Sequence, residues 1–320
     1  MRTLLLAPTP LLAIFFLLGA CSRISLPVPE KAKDFRVLTY SSMTGPSSLG
    51  AEIERIFEER CRASNKALVC DLVLVPEDGD SSLVSTYLAR PSGFDAILGL
   101  ESLQVAQLKS KSKVVRSEFF ARGPHAFIVD THVWKDSTKW PKSWKDLSNF
   151  PKSVFLQDPR VSSVGIGWIK AIFVHELLNL DDARTLSKKV FPSWSLSYAA
   201  FQKEGAPLVW SYQSSEAYHR CEEKSERYRV LPLEEGYPVQ EEFVLIPGES
   251  LSNEESLFME VVLSDEVQSQ IPLKNWMWPA SEKTKLPECF KATSPVKPLL
   301  DPAPQNSAAK LSEWTDRWSL

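Results

Sequence analysis

The chain has little of what a nucleic-acid-binding protein or a common hydrolase would need. Lysine and arginine number 37 against 40 aspartates and glutamates, the net charge is −3, and no long basic run occurs. This balance argues against a nucleic-acid partner. The sequence also contains no Gly-x-Ser-x-Gly elbow and no Walker loop. These absences predict a protein that is not an enzyme and does not bind nucleic acid.

Histidine is scarce, with four in 320 residues, and the four show no metal-ligand spacing. His175-Glu176 would begin a metalloprotease helix if a second histidine followed four residues after the first. Asn179 occupies that position. The sequence therefore predicts no metal site and no cofactor.

Apolar runs long enough to cross a bilayer are missing beyond the N-terminus. Residues 1–20 combine Arg2, an apolar run and the small residues Gly19-Ala20 before Cys21, which is typical of a secretory signal. The Leu-Gly-Ala-Cys end resembles a bacterial lipobox, which implies cleavage before Cys21 and lipidation of its thiol. The alternative is an uncleaved N-terminal anchor. In both cases we expect residues 21–33 to be a tether and the body to lie outside the cytoplasm.

Export would place the other four cysteines in an oxidising compartment. Cys61 and Cys70 flank a short polar turn between a helix and a strand, so we predict that they form a disulfide. For Cys221 and Cys289 the sequence leaves two alternatives open, a second disulfide or two unpaired thiols.

Hydrophobic patterns predict strands and helices in alternation in two stretches of the chain. Strands at 35–40, 68–75 and 94–100 with intervening helices predict a parallel α/β sheet with right-handed crossovers. A second α/β stretch follows an apolar crossover at 125–130, with helices expected at 167–178 and 181–189. The extended segment 239–246 would return the chain to the first stretch.

The predicted fold class is therefore α/β, with two lobes, each a mostly parallel sheet flanked by helices, joined by two hinge crossovers. Lobe 1 would comprise residues 34–123 and 239–320, and lobe 2 residues 124–238. This is the layout of a bacterial solute-binding protein, which closes around a small ligand.

A strand at 208–210 ends at Ser211-Tyr212 and is followed by a helix that carries Tyr218. Ligands bind beyond the carboxyl ends of such strands. Together with Trp194 upstream, these aromatic residues suit a flat polar or cationic ligand. Ordinary core packing is the alternative for each of them.

Two further loops carry candidate binding residues. In the loop 157–167, Ser162 and Ser163 at a helix start, with Arg160 nearby, suit a phosphate, although a plain helix N-cap is the alternative. In the loop after Asn275, Trp276 would cover a ligand ring, and core packing competes with that interpretation.

These residues resemble the periplasmic thiamine-binding proteins of bacterial ABC transporters, from about Val37 to Trp314. The most specific matches are Gln157-Asp-Pro-Arg and Asn275-Trp-Met. The resemblance implies a type II binding-protein fold. It also implies capture of thiamine, thiamine monophosphate or thiamine diphosphate for an inner-membrane permease and its cytoplasmic ATPase. The protein would be a periplasmic monomer held to the membrane by its lipid.

Position by position, the resemblance assigns roles to the candidate residues. Tyr218 and Trp276 would sandwich the pyrimidine, and Ser162 with Ser163 would receive a phosphate. The residues that would line the rest of the pocket are Tyr40, Ser41, Trp194 and Tyr212.

The chain departs from the family pattern at two places near the ligand. Ser41 stands where the family has aspartate, and Ala121-Arg122 stands in a segment where the family has another aspartate. Losing two carboxylates weakens the field that favours a cation. The ligand could therefore also be a phosphorylated or an uncharged relative of thiamine. Two alternatives also stay open: a ferric ion held by Tyr212 and Tyr218, and an envelope lipoprotein that binds no solute.

Overall fold

The computed structural model of the protein describes residues 34–64, 70–78 and 81–319. The predicted signal peptide, the tether and the lipidation site at Cys21 lie outside the described residues. None of the helices formed by the described residues is long and apolar enough to cross a membrane.

The described residues form eleven strands and thirteen α-helices. The strands are β1 (Phe35–Thr39), β2 (Leu72–Pro76), β3 (Ala96–Glu101), β4 (Val114–Asp130), β5 (Val154–Gln157), β6 (Ser187–Phe191), β7 (Leu208–Tyr212), β8 (Tyr228–Val230), β9 (Tyr237–Pro247), β10 (Trp278–Pro279) and β11 (Pro298–Leu299). The helices are α1 (Leu49–Ala63), α2 (Leu83–Ala89), α3 (Ser102–Lys111), α4 (Trp144–Leu147), α5 (Ser163–Phe173), α6 (Leu180–Leu186), α7 (Trp194–Glu204), α8 (Ser214–Cys221), α9 (Asn253–Val262), α10 (Asp265–Gln268), α11 (Ile271–Lys274), α12 (Glu288–Lys291) and α13 (Pro304–Ser319).

The strands follow one path in the order β2-β1-β3-β9-β4-β7-β5-β6. At one end β1 pairs in parallel with β2 and β3, and at the other β5 pairs in parallel with β6 and β7. Between these parallel sets, β9 and β4 pair antiparallel with each other. In addition, β9 pairs antiparallel with β3, and β4 pairs antiparallel with β7. The two predicted crossovers are therefore neighbouring strands, and the predicted two-lobe α/β class is confirmed.

Separate apolar cores cover the two parallel sets. Phe57 and Phe258 lie in the core beside β1. Trp168 and Trp210 lie in the core beside β7, together with Trp314 of α13. The C-terminal helix thus packs an apolar side into the second core, although the sequence pattern assigns residues 239–320 to the first lobe. The chain boundaries of the lobes themselves stay a prediction.

Two elements differ from the pattern in the sequence. The helix expected at 181–189 ends at Leu186, and the next residues form the edge strand β6. Lys188 and Lys189 are exposed there, as edge strands require if they are not to pair with other chains. The helix expected at 167–178 is α5, which begins at Ser163 and ends at Phe173.

The four cysteines of the body lie in two pairs at disulfide distance. The Cα atoms of Cys61 and Cys70 are 6.1 Å apart, and those of Cys221 and Cys289 are 5.3 Å apart. The second pair, which the sequence left open, would join α8 to α12. Formation of both disulfides stays a prediction.

One buried ion pair connects the two parallel sets. Lys170 Nζ on α5 lies 2.9 Å from Glu101 Oε1 at the end of β3, and it donates to the Val239 carbonyl of β9. Both charged side chains are at most 2% exposed. A buried charge that loses its partner is costly. The pair therefore holds α5 in place against β3 and β9.

We expect Lys170→Met to lower the free energy of unfolding by about 3–5 kcal/mol, because it leaves the Glu101 carboxylate buried without a counter-ion. The double variant Lys170→Met/Glu101→Gln should recover part of that loss in urea denaturation. As a control, Lys291→Met breaks the exposed pair with Glu288 and should cost about 1 kcal/mol or less. If the double variant were no more stable than Lys170→Met, the loss of stability would not come from the unpaired Glu101 carboxylate.

Candidate ligand-binding site

A buried carboxylate lies where β1, β9 and the loop after α11 meet. Glu242 on β9 is 4% exposed. Asn275 Nδ2 donates to it at 3.0 Å, Gln240 Nε2 donates at 3.0 Å, and Tyr40 Oη lies at 3.2 Å. Burial raises the pKa of the Glu242 carboxyl to about 7, since desolvation of the charge outweighs these hydrogen bonds.

Tyr40 and Tyr212 extend this group into a chain of hydrogen bonds. Tyr40 Oη lies 2.8 Å from Asn275 Oδ1, and Tyr212 Oη donates to Gln240 Oε1 at 2.9 Å. Burial raises the pKa of both phenols well above the ordinary value, so both stay protonated. Because Tyr40 follows β1 and Tyr212 ends β7, the chain of bonds runs from one lobe to the other. We call it the Glu242 network.

Two glycines make room for the side chains of this network. Gly99 has φ +95°, and a Cβ built there would lie 2.2 Å from Cε1 of Tyr40. A Cβ on Gly123 would lie 2.6 Å from Sδ of Met277. A side chain at either position would therefore displace a residue that packs at the site.

His125 supports Tyr212 from inside the second core. The imidazole stacks between Trp210 and Tyr212, with ring centroids 5.3 Å and 5.1 Å away. Burial, with Lys170 nearby, lowers the pKa of His125 to about 3. The ring is therefore neutral at physiological pH and acts as a flat packing surface beneath the tyrosine.

Tyr218 and Trp276 come from different parts of the chain and meet directly. Their ring centroids are 5.0 Å apart and their planes cross at 83°. Trp276 has φ 53°, a strained backbone conformation for a bulky residue and a common feature of functional sites. The structure thus brings the two residues together, but a ligand ring can lie between them only if they part.

Trp194 is held close to the end of β7. Its indole Nε1 donates to Ser211 Oγ at 2.7 Å, and its ring stacks on Tyr198 at 5.1 Å. Ser211 directly precedes Tyr212 in the strand. The side chain is 36% exposed, so it presents an aromatic face to solvent near the end of β7.

The serine loop has hydroxyl groups that do not cap its helix. Ser162 is the N-cap of α5, yet its side chain makes no capping hydrogen bond, and both Ser162 and Ser163 are partly exposed. Arg160 is already engaged, since its Nε lies 2.9 Å and 3.0 Å from the Asp158 carboxylate oxygens. Ser41 is exposed in a short 3-10 turn.

Sequence reasoning missed Gln240 and Glu242. The signal was present, because two polar residues two positions apart interrupt an apolar run and share one face of a strand. The departures at Ser41 and Ala121 suggested that the site had lost its negative charge. Glu242, which is paired in register with Ala121, is a carboxylate at the same place in the sheet.

No protein-family model matches the chain. The chain is 30% identical to the thiamine-binding periplasmic protein of Salmonella typhimurium strain LT2, over 88% of this chain and 91% of the relative. The same values hold for the thiamine-binding periplasmic protein of Escherichia coli K12. The chain belongs to the family of thiamine-binding periplasmic proteins. Membership confirms the expectation of a binding protein rather than an enzyme.

Solved structures agree with the thiamine-binding family assignment. A periplasmic thiamin binding protein superposes with a TM-score of 0.75 at 26% identity, over 90% of this chain and 95% of that one. Iron-bound HitA from Pseudomonas aeruginosa superposes with a TM-score of 0.68 at 13% identity, which shows the fold alone.

The ferric-ion alternative is not favoured, because the relatives that match nearly the whole chain are thiamine-binding periplasmic proteins. Tyr212 uses its hydroxyl to donate to Gln240.

The Glu242 carboxyl gives a pH-dependent prediction for stability. A rise in pKa from 4.5 to about 7 means that the folded state binds more protons than the unfolded state between these values. Its contribution to stability therefore falls as pH rises through this window, by on the order of 3 kcal/mol. We compare the free energy of unfolding of Glu242→Gln with that of the wild type by urea denaturation. The difference between the two should shift in favour of the variant by about 2–3 kcal/mol from pH 5 to pH 8. A difference that does not change with pH would refute the raised pKa.

Proposed function

We propose that this protein is the periplasmic carrier of an ABC importer. It captures thiamine or a thiamine phosphate ester between its two lobes and delivers it to an inner-membrane permease that is driven by a cytoplasmic ATPase. The observation that carries the proposal is the convergence of aromatic rings and hydrogen-bond donors from both lobes on the Glu242 network, in a chain of this family.

The aromatic residues would hold the ring system of the ligand. Tyr218 and Trp276 would part as the lobes open and then close on the two faces of the pyrimidine. Tyr40, Tyr212 and Trp194 would line the remainder, as stacked and edge contacts with a heterocycle require.

A phosphate ester would extend to the start of α5. The first backbone N–H groups of a helix and its dipole favour an anion, and the hydroxyls of Ser162 and Ser163 could donate to it. Arg160 would contribute less than the sequence suggested, because Asp158 already neutralises it.

The chain would be attached to the membrane through a lipid on Cys21 and act as a monomer. Its export to the periplasm would allow both cysteine pairs to oxidise. The attachment can be tested by mass spectrometry of the mature N-terminus.

The direct test is a fluorescence titration of the soluble body, which begins after Cys21, with thiamine, its mono- and diphosphate and the free pyrimidine. Trp276→Ala should weaken binding of all four by about 2 kcal/mol or more, because it removes one stacking face. Leu273→Ala, on the exposed surface of α11, is the matched control and should bind as the wild type does. If none of the four compounds saturates the wild type, the proposed function is wrong.

The serine loop is tested separately. Ser162→Ala/Ser163→Ala should reduce affinity for thiamine monophosphate by about 1–3 kcal/mol and leave affinity for thiamine unchanged, because only the ester reaches this loop. Isothermal titration calorimetry measures both. Equal losses of affinity for the two ligands would contradict the assignment of Ser162 and Ser163 to the phosphate.

A further inference from the structure

Glu242 is a buried carboxylate without a counter-ion. Its three partners, Tyr40, Gln240 and Asn275, are all neutral. Among the described residues, no lysine or arginine forms an ion pair with it. Burying a charge without a partner is costly, and proteins rarely retain such a group away from functional sites.

The surrounding elements confirm that its charge is not balanced from another side. On β3 the residue in register with Glu242 is Glu101, which forms an ion pair with Lys170. On β4 the residue in register is Ala121, followed by the exposed Arg122, which is in register with Glu241.

The remaining titratable neighbours are the two phenols. Tyr40 lies at the end of β1 and Tyr212 at the end of β7, and both remain protonated. The loop after α11 contributes the neutral Asn275.

We propose that Glu242 is the counter-charge for a cationic ligand and the residue by which the site selects a positively charged heterocycle over a neutral one of the same shape. This inference rests on the proposed function and names the feature of the ligand that is recognised. Tyr40 and Asn275 would lie between the carboxylate and the ligand. A cation that lies over the aromatic rings would also be attracted to the rings by cation–π interactions. Direct contact between ligand and carboxylate is not required, because Coulomb attraction is strong in a dry site.

The titration behaviour of the carboxyl supports this role. The pKa of the Glu242 carboxyl is raised to about 7 by burial. A bound cation favours the charged form, so the pKa of the carboxyl falls in the complex. Affinity for the cation must then rise with pH up to about 7 and level off above it.

The experiment compares thiamine with its thiophene analogue, which has the same shape and no charge. In the wild type, affinity for thiamine should be about tenfold lower at pH 6 than at pH 8, and affinity for the analogue should not change. Thiamine is used rather than its phosphates, because a phosphate titrates in the same range.

Glu242→Gln should weaken thiamine binding at pH 8 by about tenfold or more, change binding of the analogue by less than about threefold, and abolish the pH dependence. Glu241→Gln removes the same charge from the neighbouring position of β9 and should behave as the wild type does. A merely structural role for Glu242 would weaken both ligands alike and leave the pH profile intact.

The outcomes separate this inference from the proposed function. If the wild type binds thiamine with no pH dependence and no preference over the neutral analogue, the inference is wrong and the carrier function stands. If it binds neither compound nor the phosphate esters, the proposed function fails. The pH profile of the wild type decides the matter even if Glu242→Gln does not fold.

Discussion

The antiparallel pairing of β4 with β9 holds the two parallel sets of strands together. Each parallel set has its own core, and the two strands between them are the continuous connection from one set to the other. The first part of β4 pairs with β9 and its last part pairs with β7, so these strands lie at the boundary between the two parallel sets. Gln240 and Glu242 lie on β9, which is why side chains that arrive from β1 and β7 can meet at the same carboxylate.

The same region carries features that do not favour stability. The charged form of Glu242 is disfavoured by burial, Trp276 has a left-handed backbone, and His125 is held neutral between two aromatic rings. Each of these costs free energy that an apolar core would not lose. Their concentration beside exposed aromatic rings is expected for a binding site, where recognition of the ligand is selected ahead of stability.

Much of the fold follows from patterns that are local in the sequence. The alternation of strands and helices predicts both parallel sets, and the apolar crossovers predict the two connecting strands. The pattern fails at β6, because a short edge strand with exposed lysines lacks the apolar alternation of a half-buried strand. Nothing local indicates either that Trp318 of α13 packs against Trp168 of α5.

The candidate site shows the same division. Local patterns predict the aromatic residues of the three loops and the serines at the start of α5 as candidates, because strand ends and helix starts can be recognised from neighbouring residues. The neutralisation of Arg160 by Asp158, the contact between Tyr218 and Trp276, and the hydrogen bonds that connect Glu242 to both lobes became evident in the folded structure. These facts depend on residues that are far apart in the chain, and the burial that gives a carboxyl its unusual pKa exists only once the strands have been brought together.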